Sequence, residues 1–154
     1  FTVKADDGKE PRMLSEADIV LTGVSRTSKT PLSVFLAHKG FKVGNVPLVL
    51  DRQPPKEFWE VDPRRIFALT IDPDALQRIR RERLQTMRMS DRTNYGQLDY
   101  ILAELDYVHD LFSRNREWPV IDVTGKAVEE TAAIILKVLD ERGLVYKSGE
   151  TGQL

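Results

Sequence analysis

The sequence contains no cysteine and only two histidines among its 154 residues, and these absences exclude several kinds of site. Without cysteine the chain cannot build a disulfide framework, an iron–sulfur cluster, a thiolate zinc site or a cysteine nucleophile. His38 and His109 are far apart in the sequence, which argues against a histidine zinc site. A chain of this length nevertheless buries enough apolar surface to fold as one domain without such crosslinks.

An excess of charge of one sign is also missing, because 23 Lys and Arg residues stand against 24 Asp and Glu residues. Proteins that bind nucleic acids usually have a basic excess or a basic face, so we expect no nucleic-acid partner. No apolar run approaches the roughly 18 residues of a membrane span, and no signal-peptide pattern opens the sequence. We therefore expect a soluble protein without a membrane partner.

Short apolar runs that end at turn residues alternate with segments of helical periodicity. Strands are predicted at residues 17–22, 41–50, 66–71 and 118–123, and helices at 29–39, 73–88, 98–112 and 128 to about 143. This alternation predicts an α/β fold with a mostly parallel sheet flanked by helices and with ligands bound beyond the carboxyl ends of the strands. The apolar residues expected to point inward from the second helix are Leu76, Ile79, Leu84 and Met87.

The segment between the first predicted strand and helix matches the phosphate-binding pattern G-x-x-x-x-G-K-[ST], except that Ser28 occupies the second glycine position. Backbone N–H groups of such a loop surround phosphate oxygens, Lys29 supplies a positive charge and Thr30 can bind Mg²⁺. The alternative is a polar turn in which Ser28 or Thr30 caps the helix. The predicted nucleotide-binding residues are Gly23, Val24, Ser25, Arg26, Thr27, Ser28, Lys29 and Thr30.

The domain organisation follows from this motif. Residues 17–146 are predicted to form the P-loop nucleotide-binding domain, and residues 147–154 a flexible tail. The sequence begins with Phe1 rather than Met, so we expect residues 1–16 to be a linker or the tail of a further N-terminal domain.

Several carboxylates could hold a metal ion or accept a proton. Asp51 and Asp72 follow predicted strands and Asp122 lies at the end of one, where P-loop proteins place a metal-binding carboxylate. Asp72 precedes a proline, a pattern typical of a helix N-cap, so its metal role is the weaker alternative, and Asp51 is expected on a loop surface. Near the start of the chain, Asp6 and Asp7 are either a catalytic pair or a plain turn.

Arginines are concentrated in the second predicted helix and just after it. Six of them, less Glu82 and Asp91, give a net charge of +4 across fifteen residues. Arg80 and Arg83 are one turn apart and could clamp a phosphate, although a solvated helix face is the alternative. The six arginines are Arg78, Arg80, Arg81, Arg83, Arg88 and Arg92.

Motifs in a fixed order resemble the regulatory proteins of pyruvate phosphate dikinase and of phosphoenolpyruvate synthetase. The resemblance runs from Asp6 to about Leu139. Its motifs are residues 23–33, 45–47, 69–73, 79–84, 120–124 and 129–132. Members of that family usually have a histidine before the paired aspartates, where this sequence has Ala5, and carry an additional N-terminal domain.

The resemblance implies an unusual P-loop kinase fold and two opposing activities. ADP would phosphorylate a threonine of the target enzyme and leave AMP, and inorganic phosphate would remove that phosphoryl group as pyrophosphate. Mg²⁺ is the expected metal, the dikinase or the synthetase is the expected protein partner, and a homodimer is an open alternative. Such a protein would act in the cytoplasm of a bacterium or in the chloroplast stroma of a plant.

Four residues are expected to take part in the chemistry. Lys29 and Arg80 would contact phosphate, and the proton of the acceptor threonine would pass to Asp7 or, as second candidate, to Asp122. Two other functions fit the same motif. One is an ATP-dependent kinase of small molecules, and the other is a nucleotide-sensing interaction module without turnover.

Overall fold

A computed structural model describes residues 11–86 and 94–144. Their four strands form one all-parallel sheet in the order β2-β1-β3-β4. The strands are β1 (Ile19–Gly23), β2 (Val43–Pro47), β3 (Ile66–Thr70) and β4 (Val120–Asp122). Because all four run in one direction, their carboxyl ends meet at one edge of the sheet.

Within the described residues, five α-helices connect and flank the strands. They are α1 (Lys29–His38), α2 (Lys56–Trp59), α3 (Pro73–Thr86), α4 (Leu98–Ser113) and α5 (Val128–Glu141). Short 3₁₀ helices cover Pro11–Glu16, Pro63–Arg65 and Asn94–Gly96. Helix α1 packs against α5, and α3 packs against α4. No helix in the described ranges is both long and apolar enough to cross a membrane.

The core is built on the two central strands. Every residue of β1 is buried, and β3 is buried from Ile66 to Leu69, which explains their continuous apolar sequences. Strand β4 has only one neighbour among the described strands, and there Val120 and Asp122 are exposed on either side of buried Ile121. Leu14, in the first 3₁₀ helix, also belongs to the core.

The predicted α/β fold with a parallel sheet is confirmed, with shifts at the ends of elements. The second strand is predicted over 41–50 but ends at Pro47, because its partner β1 ends at Gly23, the residue opposite Pro47. Leu76 and Leu84 of α3 are buried as predicted, whereas the prediction for Ile79 is wrong because 40% of it is exposed. Met87 and residues 147–154 lie outside the described residues.

Candidate phosphate-binding site

The loop between β1 and α1 begins at a position that only glycine can occupy. Gly23 has φ +145°, and a Cβ built there would lie 2.6 Å from the carbonyl oxygen of Leu69 on the adjacent strand β3. Both the backbone conformation and the close approach exclude a side chain. The first glycine of the motif is therefore required by the fold itself.

Two residues of the loop adopt the left-handed conformation without being glycine. Arg26 has φ 72° and Ser28 has φ 65°, whereas Thr27 between them does not have a positive φ. Alternation of this kind turns successive backbone N–H groups toward one point and creates a concave site for an anion. Left-handed backbone strains an ordinary residue by about 1–2 kcal/mol, so the loop keeps its shape at a cost in stability.

Lys29, the first residue of α1, lies beneath the loop. Its side chain is buried, and its Nζ donates to the carbonyl oxygen of Val24 at 2.7 Å and to Oγ1 of Thr27 at 3.3 Å. Thr27 Oγ1 in turn donates to the same carbonyl at 2.8 Å. These bonds hold the ammonium group at the amino end of α1, where the helix dipole is also positive.

A cleft of about 530 Å³ opens above this loop. Ser25, Arg26, Ser28, Lys29 and Thr30 form one side of it, together with Pro31, Pro47 and Ile79. The other three loop residues, Gly23, Val24 and Thr27, are buried and do not belong to the lining of the cleft. The cleft combines two cationic side chains with hydroxyl groups and a helix amino end, and this donor set suits the phosphates of a nucleotide.

The alternative helix-cap interpretation fails for Ser28. This residue occupies the N-cap position of α1, but its side chain makes no capping hydrogen bond in the described part of the chain.

Arg80 does not lie on an exposed face with Arg83, and the prediction of a phosphate clamp is wrong in this respect. Arg83 is exposed, whereas the Arg80 side chain is fully buried and forms an ion pair with Glu104 of α4. Its position on α3, four residues from both Leu76 and Leu84, directs it into the interface with α4. Arg88 and Arg92 lie outside the described residues.

The buried guanidinium group reaches the phosphate loop. Its Nη2 donates to the carbonyl oxygen of Ser25 at 3.2 Å, and its Nη1 donates to that of Tyr95 at 3.1 Å. The hydroxyl groups of Ser25 and Tyr95 are 3.0 Å apart and share a hydrogen bond. The same residues line a second cavity of about 250 Å³, which shares Ser25 and Pro47 with the larger cleft.

The candidate aspartates are placed differently from one another. Asp72 caps α3 by accepting a hydrogen bond from the Ala75 N–H at 3.0 Å, which confirms the N-cap interpretation. Asp51 is exposed, as predicted. Neither they nor Asp122 belong to the described lining of the 530 Å³ cleft. Asp6 and Asp7 lie outside the described residues.

Asp122 is held in a turn at the end of β4. Its Oδ1 accepts hydrogen bonds from the hydroxyl and the backbone N–H of Thr124 at 2.6 Å and 2.9 Å. These two bonds hold the pKa of the Asp122 carboxyl below its usual value, and the bond from the hydroxyl has the larger effect. Burial opposes them, and the charge of Lys126 lowers the pKa further. The carboxylate is therefore ionised at neutral pH but is a weak proton acceptor.

A metal ion at the cleft would be coordinated mostly by phosphate oxygens and water and only to a small extent by side chains. No group of three or more histidine or acidic side chains able to hold a metal occurs in residues 11–86 and 94–144. Thr30 lines the cleft, and its hydroxyl is a suitable Mg²⁺ ligand. Mg²⁺ commonly combines few protein ligands with phosphate oxygens and water, so the residues present fit this ion.

Tyr95 and Glu104 are not among the predicted site residues. Glu104 follows Ile101 by three residues and precedes Val108 by four. It thus interrupts an apolar stripe, just as Arg80 does on α3, and two opposite charges at core positions of adjacent helices are a signal of pairing. Nothing in the sequence around Tyr95 indicated its contact with Ser25.

Comparison with known proteins identifies the family of this chain. Residues 1–136 match the family model described as Kinase/pyrophosphorylase. A protein of Geotalea uraniireducens (strain Rf4) is 57% identical over 141 residues, which are 92% of this chain and 52% of the relative. One of Sorangium cellulosum (strain So ce56) is 54% identical over 151 residues, 96% of this chain and 54% of the relative.

A third relative, from Zea mays, is 50% identical over 143 residues, 92% of this chain and 34% of the relative. All three are named as pyruvate, phosphate dikinase regulatory proteins, the maize protein as chloroplastic. The chain spans about half the length of the two bacterial relatives. With a family model that matches most of its length, the chain belongs to the kinase/pyrophosphorylase family.

Proposed function

We propose that this chain carries the nucleotide-binding site of a bifunctional regulator that acts on pyruvate phosphate dikinase or phosphoenolpyruvate synthetase. The observation that carries the proposal is the cleft over residues 23–30, where Arg26, Lys29 and the amino end of α1 converge. The names of the relatives support the dikinase as the class of target. A plant protein of this kind would act in the chloroplast and a bacterial one in the cytoplasm.

In the forward direction the β-phosphoryl group of ADP passes to a threonine hydroxyl of the target. The bond between that phosphorus and the bridging oxygen breaks, AMP leaves, and the hydroxyl proton passes to a carboxylate. In the reverse direction inorganic phosphate attacks the phosphothreonine, pyrophosphate forms, and the threonine oxygen regains a proton. Both directions place a phosphate chain in the same cleft.

The residues of the chain contribute positioning and charge. Loop N–H groups and Lys29 hold the phosphates, and Arg26, exposed at the cleft, offsets their negative charge. When bound, Mg²⁺ neutralises charge on the phosphates, and the Thr30 hydroxyl is the group of this chain that would hold it. Arg80 acts from behind the loop, because its buried guanidinium is already engaged by Glu104.

Asp7 remains our first candidate for the proton acceptor, and Asp122 the second. The Thr124 hydrogen bonds lower the pKa of Asp122 and weaken it as a base. Asp122 also lies on β4, and β3 separates this strand from β1, which leads into the loop.

The test is calorimetric titration of the chain with ADP, ATP, AMP and inorganic phosphate in the presence of Mg²⁺. ADP should bind, Lys29→Ala should abolish binding, and Lys137→Ala, at an exposed position of α5, should leave it unchanged. ADP binding that survives Lys29→Ala would overturn the proposal that this cleft binds phosphate.

Transfer is tested by mass detection of phosphothreonine on the dikinase and by AMP release, with the Geotalea relative as a positive control for the assay. Turnover of a small-molecule acceptor with ATP would instead indicate a metabolite kinase. Nucleotide binding by the chain without transfer, in an assay where the control is active, would favour a sensing module.

A further inference from the structure

The ion pair between Arg80 and Glu104 lies in the interface of α3 and α4. Arg80 is completely buried, and Glu104 is only 5% exposed. Arg80 Nη2 lies 3.3 Å from Oε2 of Glu104, and Nη1 contacts Oε1. Burial of two charges costs solvation energy that their attraction does not reliably recover, so such a pair is weak support for stability alone.

The guanidinium group connects three segments that are distant in the sequence. Besides Glu104, it donates to the backbone carbonyls of Ser25 and Tyr95, and it lies over the Tyr95 ring at 4.5 Å from the centroid. The Tyr95 hydroxyl then meets the Ser25 hydroxyl at 3.0 Å. Ser25 is thus held through both its backbone and its side chain by residues outside the loop.

The loop needs such restraint because its backbone is strained. Arg26 and Ser28 adopt the left-handed conformation, which persists only where the surroundings determine it. Thr27 and Lys29 hold the carbonyl of Val24 from within the loop. Arg80 and Tyr95 hold the next residue, Ser25, from outside, immediately before the first left-handed position.

We propose that Arg80, Glu104 and Tyr95 are positioning residues that keep the loop in the shape that binds phosphate. Glu104 fixes the guanidinium, Arg80 and Tyr95 fix Ser25, and Ser25 fixes the start of the left-handed segment. The ligand is the phosphate chain of a nucleoside diphosphate or pyrophosphate, so this inference rests on the proposed function. None of the three residues needs to touch the ligand.

The decisive variant is Arg80→Met/Glu104→Met, which replaces both charges by apolar side chains of similar length. Apolar replacement of a buried pair is often neutral or stabilising, so the melting temperature should be kept. A positioning role predicts that the Kd for ADP and for pyrophosphate rises about tenfold or more, because displaced binding groups lose that much. The matched control is Arg114→Met/Asp110→Met, which removes an exposed ion pair on α4. It should change neither property.

Tyr95→Phe provides a test that leaves the buried charges intact. It keeps the ring under Arg80 and removes only the hydroxyl that meets Ser25. We expect a folded variant whose melting temperature falls by no more than the loss of one hydrogen bond allows, and a rise of about threefold or more in the same two Kd values, because only the backbone of Ser25 is then held from outside the loop. This variant decides the question if the double variant fails to fold.

The outcomes separate the two proposals. Wild-type affinity in Tyr95→Phe and in a folded Arg80→Met/Glu104→Met variant would overturn the positioning role while leaving the proposed function intact. Failure of the unmodified chain to bind ADP, phosphate or pyrophosphate would overturn the proposed function itself. Weaker binding in both variants, with both chains folded at the assay temperature and the control pair unaffected, would establish the positioning role.

Discussion

Gly23 at the end of β1 and the carbonyl oxygen of Leu69 on β3 approach so closely that a Cβ on Gly23 would lie 2.6 Å from that oxygen. The loop of residues 23–30 therefore leaves the sheet at a point where the space beside β3 is wide enough only for backbone. This contact ties the start of the loop to the central pair of strands.

Gly23→Ala should both destabilise the fold and abolish phosphate binding. The added Cβ must displace backbone of β3, and its φ of +145° is unfavourable for alanine, so we expect a loss of about 2 kcal/mol or more in the free energy of unfolding. Gly125→Ala is the matched control, since Gly125 has φ +69° but nothing within 4 Å of a built Cβ. It should cost about 1 kcal/mol and preserve ADP binding. Equal costs for the two variants in denaturant unfolding would contradict the role given to the Leu69 contact.

Ser28→Gly should stabilise the chain. Relief of left-handed strain at φ 65°, less the entropy that glycine adds to the unfolded state, gives about 0.5 kcal/mol. Ser28→Ala keeps the strain and removes only the hydroxyl, which makes no capping bond within the described residues, so its free energy of unfolding should match that of the unmodified chain. A loss of about 1 kcal/mol for Ser28→Ala, typical of a removed N-cap, would show that the hydroxyl does cap α1.

Glu104→Met alone should be far more destabilising than the double change with Arg80→Met. The single variant leaves the Arg80 charge buried without its carboxylate, which costs about 3–5 kcal/mol, whereas removal of both charges is close to neutral. Urea unfolding of the two single variants and the double variant gives the coupling energy. Additive effects of the single variants would mean that the two side chains do not act as a pair.

Thr124→Val should raise the pKa of the Asp122 carboxyl toward its ordinary value. The Thr124 hydroxyl is the largest cause of the lowered pKa, and the backbone N–H remains to maintain part of the effect. Because the folded state lowers this pKa, Asp122 contributes stability above about pH 4 that is lost as the pH falls through the folded value. NMR titration of the carboxyl carbon measures the change. Thr86→Val, on the exposed end of α3, is the control, and an equal pKa in all three proteins would refute the assignment.

The sequence was sufficient for the sheet and the loop because both depend on local signals. The apolar run of residues 17–22 stops at Gly23, and residues 23–30 combine a glycine, a lysine and a threonine at fixed spacing. Strand and helix therefore follow from periodicity and stop signals. The end of β2 is not local in this sense, since it coincides with the end of its partner strand β1 at Gly23.

The contacts that hold the loop from outside could not be predicted from such local signals. Arg80 was interpreted as an exposed cation because its neighbours are also arginines, and only the packing of α3 on α4 shows that it is buried against Glu104. The Ser25–Tyr95 contact joins residues 70 positions apart, a distance that no local pattern spans. Ile79 shares helical spacing with Leu76 yet lines the cleft and is 40% exposed.

Lys29 is dehydrated when the chain folds, since its ammonium group is buried and bonded to the Val24 carbonyl and the Thr27 hydroxyl. The desolvation cost of this cation is thus met during folding and does not recur when an anion binds. Folding and the proposed binding of phosphate therefore depend on the same cation, so a variant that stabilises the loop by removing the buried charge of Lys29 should also lose affinity for phosphate.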